Sequence, residues 1–264
     1  MIRKLLLTIF SIITLTASGQ SHFYTSEKLS SNQITQICQD KDGYIWIGTE
    51  YGLNKYDGYR FTNYLHEKDN KNTVSSNVIS YLFLDKDGTL WVGTQMGLDR
   101  YDAENNQFIS VEMKGATSIP RINSIIQEDD HHLLIGTAGY GLFRLDTRDN
   151  SSKMLQGYAK ADNHYFSYIY IDEKGYFWKS GHGNSIIRRS PGGKLEEFLS
   201  PYGMVTGFVD YQGGVLIVCN HGLLYYRDGQ MRTDFIDPGE LRGKDLLLRT
   251  AKSDRDGNLF IGTM

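Results

Sequence analysis

Residues 39–58 read QDKDGYIWIGTEYGLNKYDG, and residues 84–102 read LDKDGTLWVGTQMGLDRYD. Each stretch holds an acidic Gly turn, an apolar run closed by Gly-Thr, and Gly-Leu two residues further on. Tyr44, Ile45, Trp46 and Ile47 are apolar at consecutive positions. A strand with one wet face alternates polar and apolar residues, so this one is covered on both faces. Nothing in either stretch keeps a helical spacing over three turns.

The unit recurs along the chain. Further copies are INSIIQEDDHHLLIGTAGYGLFRLD at 122–146, FSYIYIDEKGYFWKSGHGNSIIRRS at 166–190 and VTGFVDYQGGVLIVCNHGLLYYRDG at 205–229, with a last copy from about Leu246 through DRDGNLFIGTM. One slot fixes the register. Trp46, Trp91, Leu134, Trp178, Leu216 and Phe260 follow one another at 45, 43, 44, 38 and 44 residues. Within the first unit the pattern predicts strands A (34–39), B (44–49), C (53–57) and D (59–64). Asp42-Gly43 and Asp57-Gly58 are read as primed hairpin turns, in which both central residues take positive φ. Four-stranded antiparallel sheets repeated around an axis cover each other's faces, which makes the chain an all-β propeller. A β-helix has far shorter rungs. The expected blades are about 31–73, 74–118, 119–162, 163–201, 202–245 and 246–264, so the propeller is incomplete: five blades and half of a sixth.

The rest of the composition agrees with this. There are 18 Tyr, 12 Phe and 28 Gly but only 4 Pro, which suits short strands and tight turns. Net charge is −3 without a basic block, which argues against nucleic acid as a partner. Arg3 and Lys4, the apolar run 5–15, and Ala17 and Gly19 read as a signal peptide over 1–19, leaving 20–264 as the propeller. Cys38 and Cys219 sit in distant blades and are expected to be small, buried and unbridged. Phe23-Tyr24-Thr25 resembles Phe61-Thr62-Asn63, an outer strand without its blade. Since the sequence stops after the sixth strand B, one blade face is expected to lack cover. Each large apolar side chain on such a face forgoes about 1.5–3 kcal/mol, so the chain is expected to self-associate and to be a piece of a longer protein.

The turn, the Trp slot and Gly-Thr-x-x-Gly-Leu at 39–58 and 84–102, with DRDGNLFIGT in the last unit, resemble the two-component regulator propeller repeat. Blades three to five depart from it at His131-His132, Ser180 and Val218. The resemblance implies a periplasmic sensor region of a Bacteroidetes-type hybrid histidine kinase that detects oligosaccharides. Such a parent would be anchored in the inner membrane. It implies as partners an oligosaccharide or other small ligand, further blades and signalling domains of the parent, and a homodimer. No kinase or receiver region is present, so the chain is read as non-enzymatic. The alternatives are a secreted binding or scaffold propeller and a propeller-fold glycan hydrolase or lyase.

No catalytic residue, metal ligand or cofactor is assigned. The twelfth position counted from Asp40 is Tyr51 rather than a carboxylate, so the DKDG turns are read as hairpins and not calcium loops. The histidines show no metal spacing. Because hairpins alternate ends, B–C and D–A loops share one propeller face and A–B and C–D turns share the other. The first face is the more varied, and the candidate ligand-binding residues lie on it: Tyr51, Asn77, Arg121, Tyr140, His164 and His182. Their rings and hydrogen-bond donors suit a sugar.

Overall fold

The computed structural model describes residues 29–158, 164–234, 247–253 and 257–263. The expected leader and the strand at 23–25 lie outside these. The first sheet holds β1 (Ile34–Gln39), β2 (Ile45–Thr49), β3 (Gly52–Tyr56) and β4 (Phe61–Tyr64). The second holds β5 (Ile79–Leu84), β6 (Leu90–Thr94), β7 (Gly97–Asp102) and β8 (Gln107–Val111). The third holds β9 (Ile122–Asp129), β10 (His132–Thr137), β11 (Leu142–Asp146) and β12 (Ser152–Leu155). In the fourth are β13 (Tyr168–Ile171), β14 (Phe177–Ser180), β15 (Ser185–Arg189) and β16 (Leu195–Leu199). In the fifth are β17 (Val205–Tyr211), β18 (Gly214–Cys219), β19 (Gly222–Arg227) and β20 (Gln230–Arg232). A two-stranded sixth pairs β21 (Leu248–Ser253) with β22 (Leu259–Thr263). Within every sheet, neighbours in sequence are neighbours in space, and the pairing is antiparallel.

The first strands stand side by side from one sheet to the next, β1 by β5, β5 by β9, β9 by β13, β13 by β17 and β17 by β21. They therefore form the inner wall, and the sheets radiate from it as propeller blades. Polar side chains tie this wall together. Ser80 donates to the carbonyl of Ile122 at 2.5 Å, Asn123 to that of Phe166 at 3.1 Å, and Thr206 to that of Leu248 at 3.3 Å. The donor is each time the second residue of its first-strand segment, and the acceptor starts the corresponding segment of the next blade.

The slot that sets the register also builds the core. Trp46 packs with Val74, Ile79 and Val92 of blade two, Trp91 with Ile122 and Ile135 of blade three, and Trp178 with Val205 and Ile217 of blade five. Leu134 and Leu216 likewise meet the following blade. All five are at most 1% exposed, while Phe260, in the same slot of the last sheet, is 61% exposed. The slot side chain thus always points forward in chain order.

The glycine of Gly-Thr is there for close approach. A Cβ on Gly48 would lie 2.7 Å from the Ile79 Cγ2, and one on Gly93 would lie 2.8 Å from the Ile122 Cγ2. The threonine closes the next turn. Thr49 Oγ1 donates to the Gly52 carbonyl at 2.8 Å and accepts from the Tyr51 N–H at 3.1 Å; Thr94 does the same with Gly97 and Met96.

The DKDG turns differ from the expectation. Gly43 (φ 88°) and Gly58 (φ 96°) are left-handed, but Asp42 and Asp57 are not. Asp40 organises a longer loop instead. Its carboxylate accepts from the N–H of Asp42 (3.1 Å) and of Tyr44 (2.9 Å), and its other oxygen takes the Trp46 indole N–H at 2.8 Å. The same indole bond, also 2.8 Å, joins Asp85 to Trp91 and Asp172 to Trp178. Two-residue turns with positive φ at both positions do occur, in blade five, at Gln212-Gly213 and Asp228-Gly229. His132 opens β10 and bonds Asp129 at 2.7 Å. Arg144 joins this pair and reaches Glu128 at 2.6 Å, so an ionic cluster stands where blades one, two and four have an Asp–Trp bond. Both cysteines are unbridged. Cys219 is buried and accepts a bond from Ser200, whereas Cys38 is only half-buried.

Candidate ligand-binding face

On the face carrying B–C and D–A loops, the chain between β4 and β5 is built on local bonds. Thr73 Oγ1 donates to the Asn70 carbonyl and accepts from the Glu67 N–H. His66 gives its backbone N–H to Asn77 Oδ1 at 2.7 Å and its ring Nδ1–H to the Val74 carbonyl at 2.9 Å. Val74, fully buried, pins the end of the loop into the core.

Ser30-Ser31-Asn32 and Ser75-Ser76-Asn77 lead into blades one and two, and the first serine of each has a receptor on the third strand of the blade it enters. Ser30 N–H donates to Asn54 Oδ1 at 2.9 Å, and the Asn54 amide donates onward to the Ile47 carbonyl. One blade later, Asp99 takes the place of Asn54, accepting from the Ser75 N–H at 2.7 Å and the Ser75 hydroxyl at 2.5 Å. Asp99 has no exposed surface. Burial pushes its pKa up to about 6, against the lowering effect of the Ser75 bonds and of nearby His66.

Between this loop and residues 112–120 lies an open groove of about 760 Å³. His66, Lys68 and Lys71 stand on one side, and Met113, Ile119 and Pro120 on the other, with Met96 from the β6–β7 turn. Met96 is 49% and Ile119 61% exposed. The volume is within the ~300–1,000 Å³ usual for ligand sites.

The six candidate residues do not form one cluster. Tyr51 is exposed at the tip of the first B–C turn. Asn77 is half-buried and already engaged, by its side chain to His66 and by its carbonyl to the Gly52 N–H at 2.6 Å. It holds the loop in place. Tyr140 borders the groove through a hydrogen bond between its hydroxyl and that of Ser118, and its ring packs on the core of blades two and three. Arg121 is exposed directly after groove residue Pro120. His164 is exposed and accepts the Gly141 N–H on its carbonyl. His182 leans on the Tyr165 ring, centroids 5.6 Å apart. So none of the six lines the groove itself: Tyr140 and Asn77 each bond one of its residues, Ser118 and His66, and Arg121 follows Pro120 in sequence, while His164 and His182 belong to blade four and Tyr51 to blade one.

Lys68, Lys71 and Ile119 were passed over because the repeat directs attention to conserved-looking unit positions. These residues fall in the irregular segments between units. The signal available was length: 65–78 is the longest loop between the first two blades, and it carries two lysines.

Lys179 was also missed. It is fully buried in β14, at the position held by Ile47, Val92 and Ile135 in earlier blades. Its ammonium lies 4.0 Å from the Phe166 ring centre and donates to the Tyr165 carbonyl at 3.2 Å. Burial lowers its pKa to about 8.

The opposite face has its own repeated device. Lys55 lies 3.8 Å over the Tyr44 ring and 5.1 Å over that of Trp46, and Arg188 lies 3.4 Å over Tyr176 and 5.4 Å over Trp178. Each cation is the cross-strand partner of its Trp. They floor two smaller grooves, of about 480 Å³ between blades one and two and about 330 Å³ between blades four and five. A–B and C–D turns line both.

Residues 28–51 and 73–96 match the sequence profile described as Two component regulator propeller. The chain carries two-component regulator propeller repeats. Over 69 residues it is 33% identical to histidine kinase P4 of Formosa agariphila, a stretch amounting to 25% of this chain and 5% of that kinase. Among solved structures it resembles the extracellular domain assigned to the hybrid two component system BT3049 of B. thetaiotaomicron, with TM-score 0.59 and 17% identity over 92% of this chain and 40% of that one. The WD40 domain of Neurospora crassa Pan2 is similar at TM-score 0.51 and 10% identity, over 76% of this chain and 60% of that one. At these identities the structural likeness is one of fold, a β-propeller. The chain spans 40% of the BT3049 domain and its match to the kinase 5% of that protein.

Proposed function

We propose that this propeller is the ligand-sensing part of an exported two-component signalling protein, and that its B–C and D–A loop face recognises an oligosaccharide. The observation that carries the reading is the two-component regulator propeller repeat at 28–51 and 73–96, set in a chain whose first two blades border an open groove on that face. The likeness to a histidine kinase and to the extracellular domain of a hybrid system supports a location outside the cytoplasm. The role is recognition and not turnover. The acidic residues that recur in the units, Asp40, Asp85 and Asp172, spend their oxygens on turn N–H groups and indoles. Signal output belongs to kinase regions of a longer parent, anchored in the inner membrane and paired as a dimer.

The test is calorimetric titration of the exported chain with oligosaccharides from plant and algal polysaccharides, alongside Arg121→Ala and Tyr140→Ala variants checked for native circular dichroism. Lower affinity in either variant supports the reading. Unchanged affinity in both removes this face, and release of reducing ends by the purified chain replaces the sensor with a glycan-cleaving enzyme.

A further inference from the structure

We propose that the groove between residues 65–77 and 112–120 takes an acidic oligosaccharide, its carboxylate or sulfate at Lys68 and Lys71 and the C–H face of a ring on Met96 and Ile119. This rests on the sensor reading and names its ligand class and place. The argument is one of what the groove has left to offer. Most of its polar groups are committed. Thr73 serves the loop backbone, Ser75 serves Asp99, and Ser118 is bonded to Tyr140. Glu67 and Asp69 flank Lys68 in sequence; Glu67 accepts from the Asn70 amide at 2.9 Å, and neither acid lines the groove. Lys68 and Lys71 are both exposed, and among the described residues neither enters an ion pair.

Opposite them, Met96 and Ile119 expose large apolar side chains beside Pro120 and Ala116. A ligand that fills this space therefore needs negative charge on one side and apolar surface on the other. A uronic or sulfated sugar has both, since a pyranose ring presents C–H groups on its faces. Glu112, the acid lining the groove, repels the anionic group from its own end and accepts from sugar hydroxyls. The loop that carries the lysines is anchored by Val74 and by the bond from His66 to Asn77, so little ordering is needed on binding.

Titration of the exported chain with oligogalacturonides, chondroitin sulfate oligosaccharides, neutral cello-oligosaccharides and a poly-Glu peptide of similar length tests this. The acidic sugars bind, binding weakens as salt is raised, and a Lys68→Gln, Lys71→Gln double variant loses affinity by about tenfold, within what two exposed ion contacts supply. Neutral sugars binding equally well, and unaffected in the double variant, overturn the acidic class while the sensor reading stands. Acidic sugars bound unchanged by the double variant but weakened by Arg121→Ala move the site out of the groove. Preference for poly-Glu assigns the groove to an acidic peptide. Binding of no sugar at all overturns both readings.

Discussion

Replacing Asp99 by Asn stabilises the propeller at neutral pH. In the fold the carboxyl of Asp99 titrates at about 6, up from 3.8, because it is cut off from water. The folded chain therefore holds this proton more tightly than the unfolded chain does. Stability contributed by the group is fully present below the unfolded pKa and is lost as pH rises through about 6. At about 1.4 kcal/mol per pH unit, the loss between acid and neutral pH comes to about 3 kcal/mol. Blade one shows how an amide fits the site. Asn54 accepts the Ser30 N–H at 2.9 Å and donates to the carbonyl of Ile47, its cross-strand partner. At the equivalent site, residue 99 faces Val92 across the strands and the Ser75 N–H above. An amide there accepts from Ser75 and donates to the Val92 carbonyl. Urea denaturation of both proteins from pH 4 to pH 8 measures the effect. The variant gains up to about 3 kcal/mol at pH 7.5, and the gain vanishes near pH 4. Equal curves at all pH values, or a variant weaker at pH 7.5, would refute the reasoning, since the bonds from Ser75 would then outweigh the cost of burying the charge.

Two further perturbations follow from the same structure. Asp85→Ala leaves the N–H groups of Asp87 and Thr89 and the Trp91 indole without their acceptor, costing about 1–3 kcal/mol, read as a lower thermal midpoint with altered Trp fluorescence; an unchanged midpoint contradicts the role given to the Asp–Trp bond. Lys179, whose pKa in the fold is lowered to about 8 by burial, makes wild-type stability rise as pH goes from about 8 to 10.5. Lys179→Met removes that rise in alkaline denaturation series, and a variant that keeps it would clear Lys179.

The sequence carried the blade plan because that plan depends on side chains that recur. A bulky residue every 38–45 positions, apolar on both sides of its strand, leaves stacked sheets as the way to cover it. The Asp-Gly pairs were legible as turns but not as turn types. Whether Asp42 takes positive φ depends on its neighbour Asp40, whose carboxylate is drawn to an indole six residues on. The two-face division of loops was also legible, since hairpins alternate ends, and the groove residues follow it. What stayed hidden was the groove itself. It is made by segments that belong to no repeat, and their meeting is decided by anchors such as Val74 and the bond from His66 to Asn77. Asn77 could be picked out as polar and near the inner wall, yet its partners could not.

The forward reach of the slot side chain gives the molecule a joinery. Every unit is tenon on one side and mortise on the other, so units added or removed whole by gene duplication leave each joint matched. A cut inside a unit, between the strand that carries the Trp and the one that follows, spoils the joint with its neighbour. New termini introduced in the segments between units, at 66–73 for example, should therefore be tolerated where breaks at 50–51 or 95–96 are not.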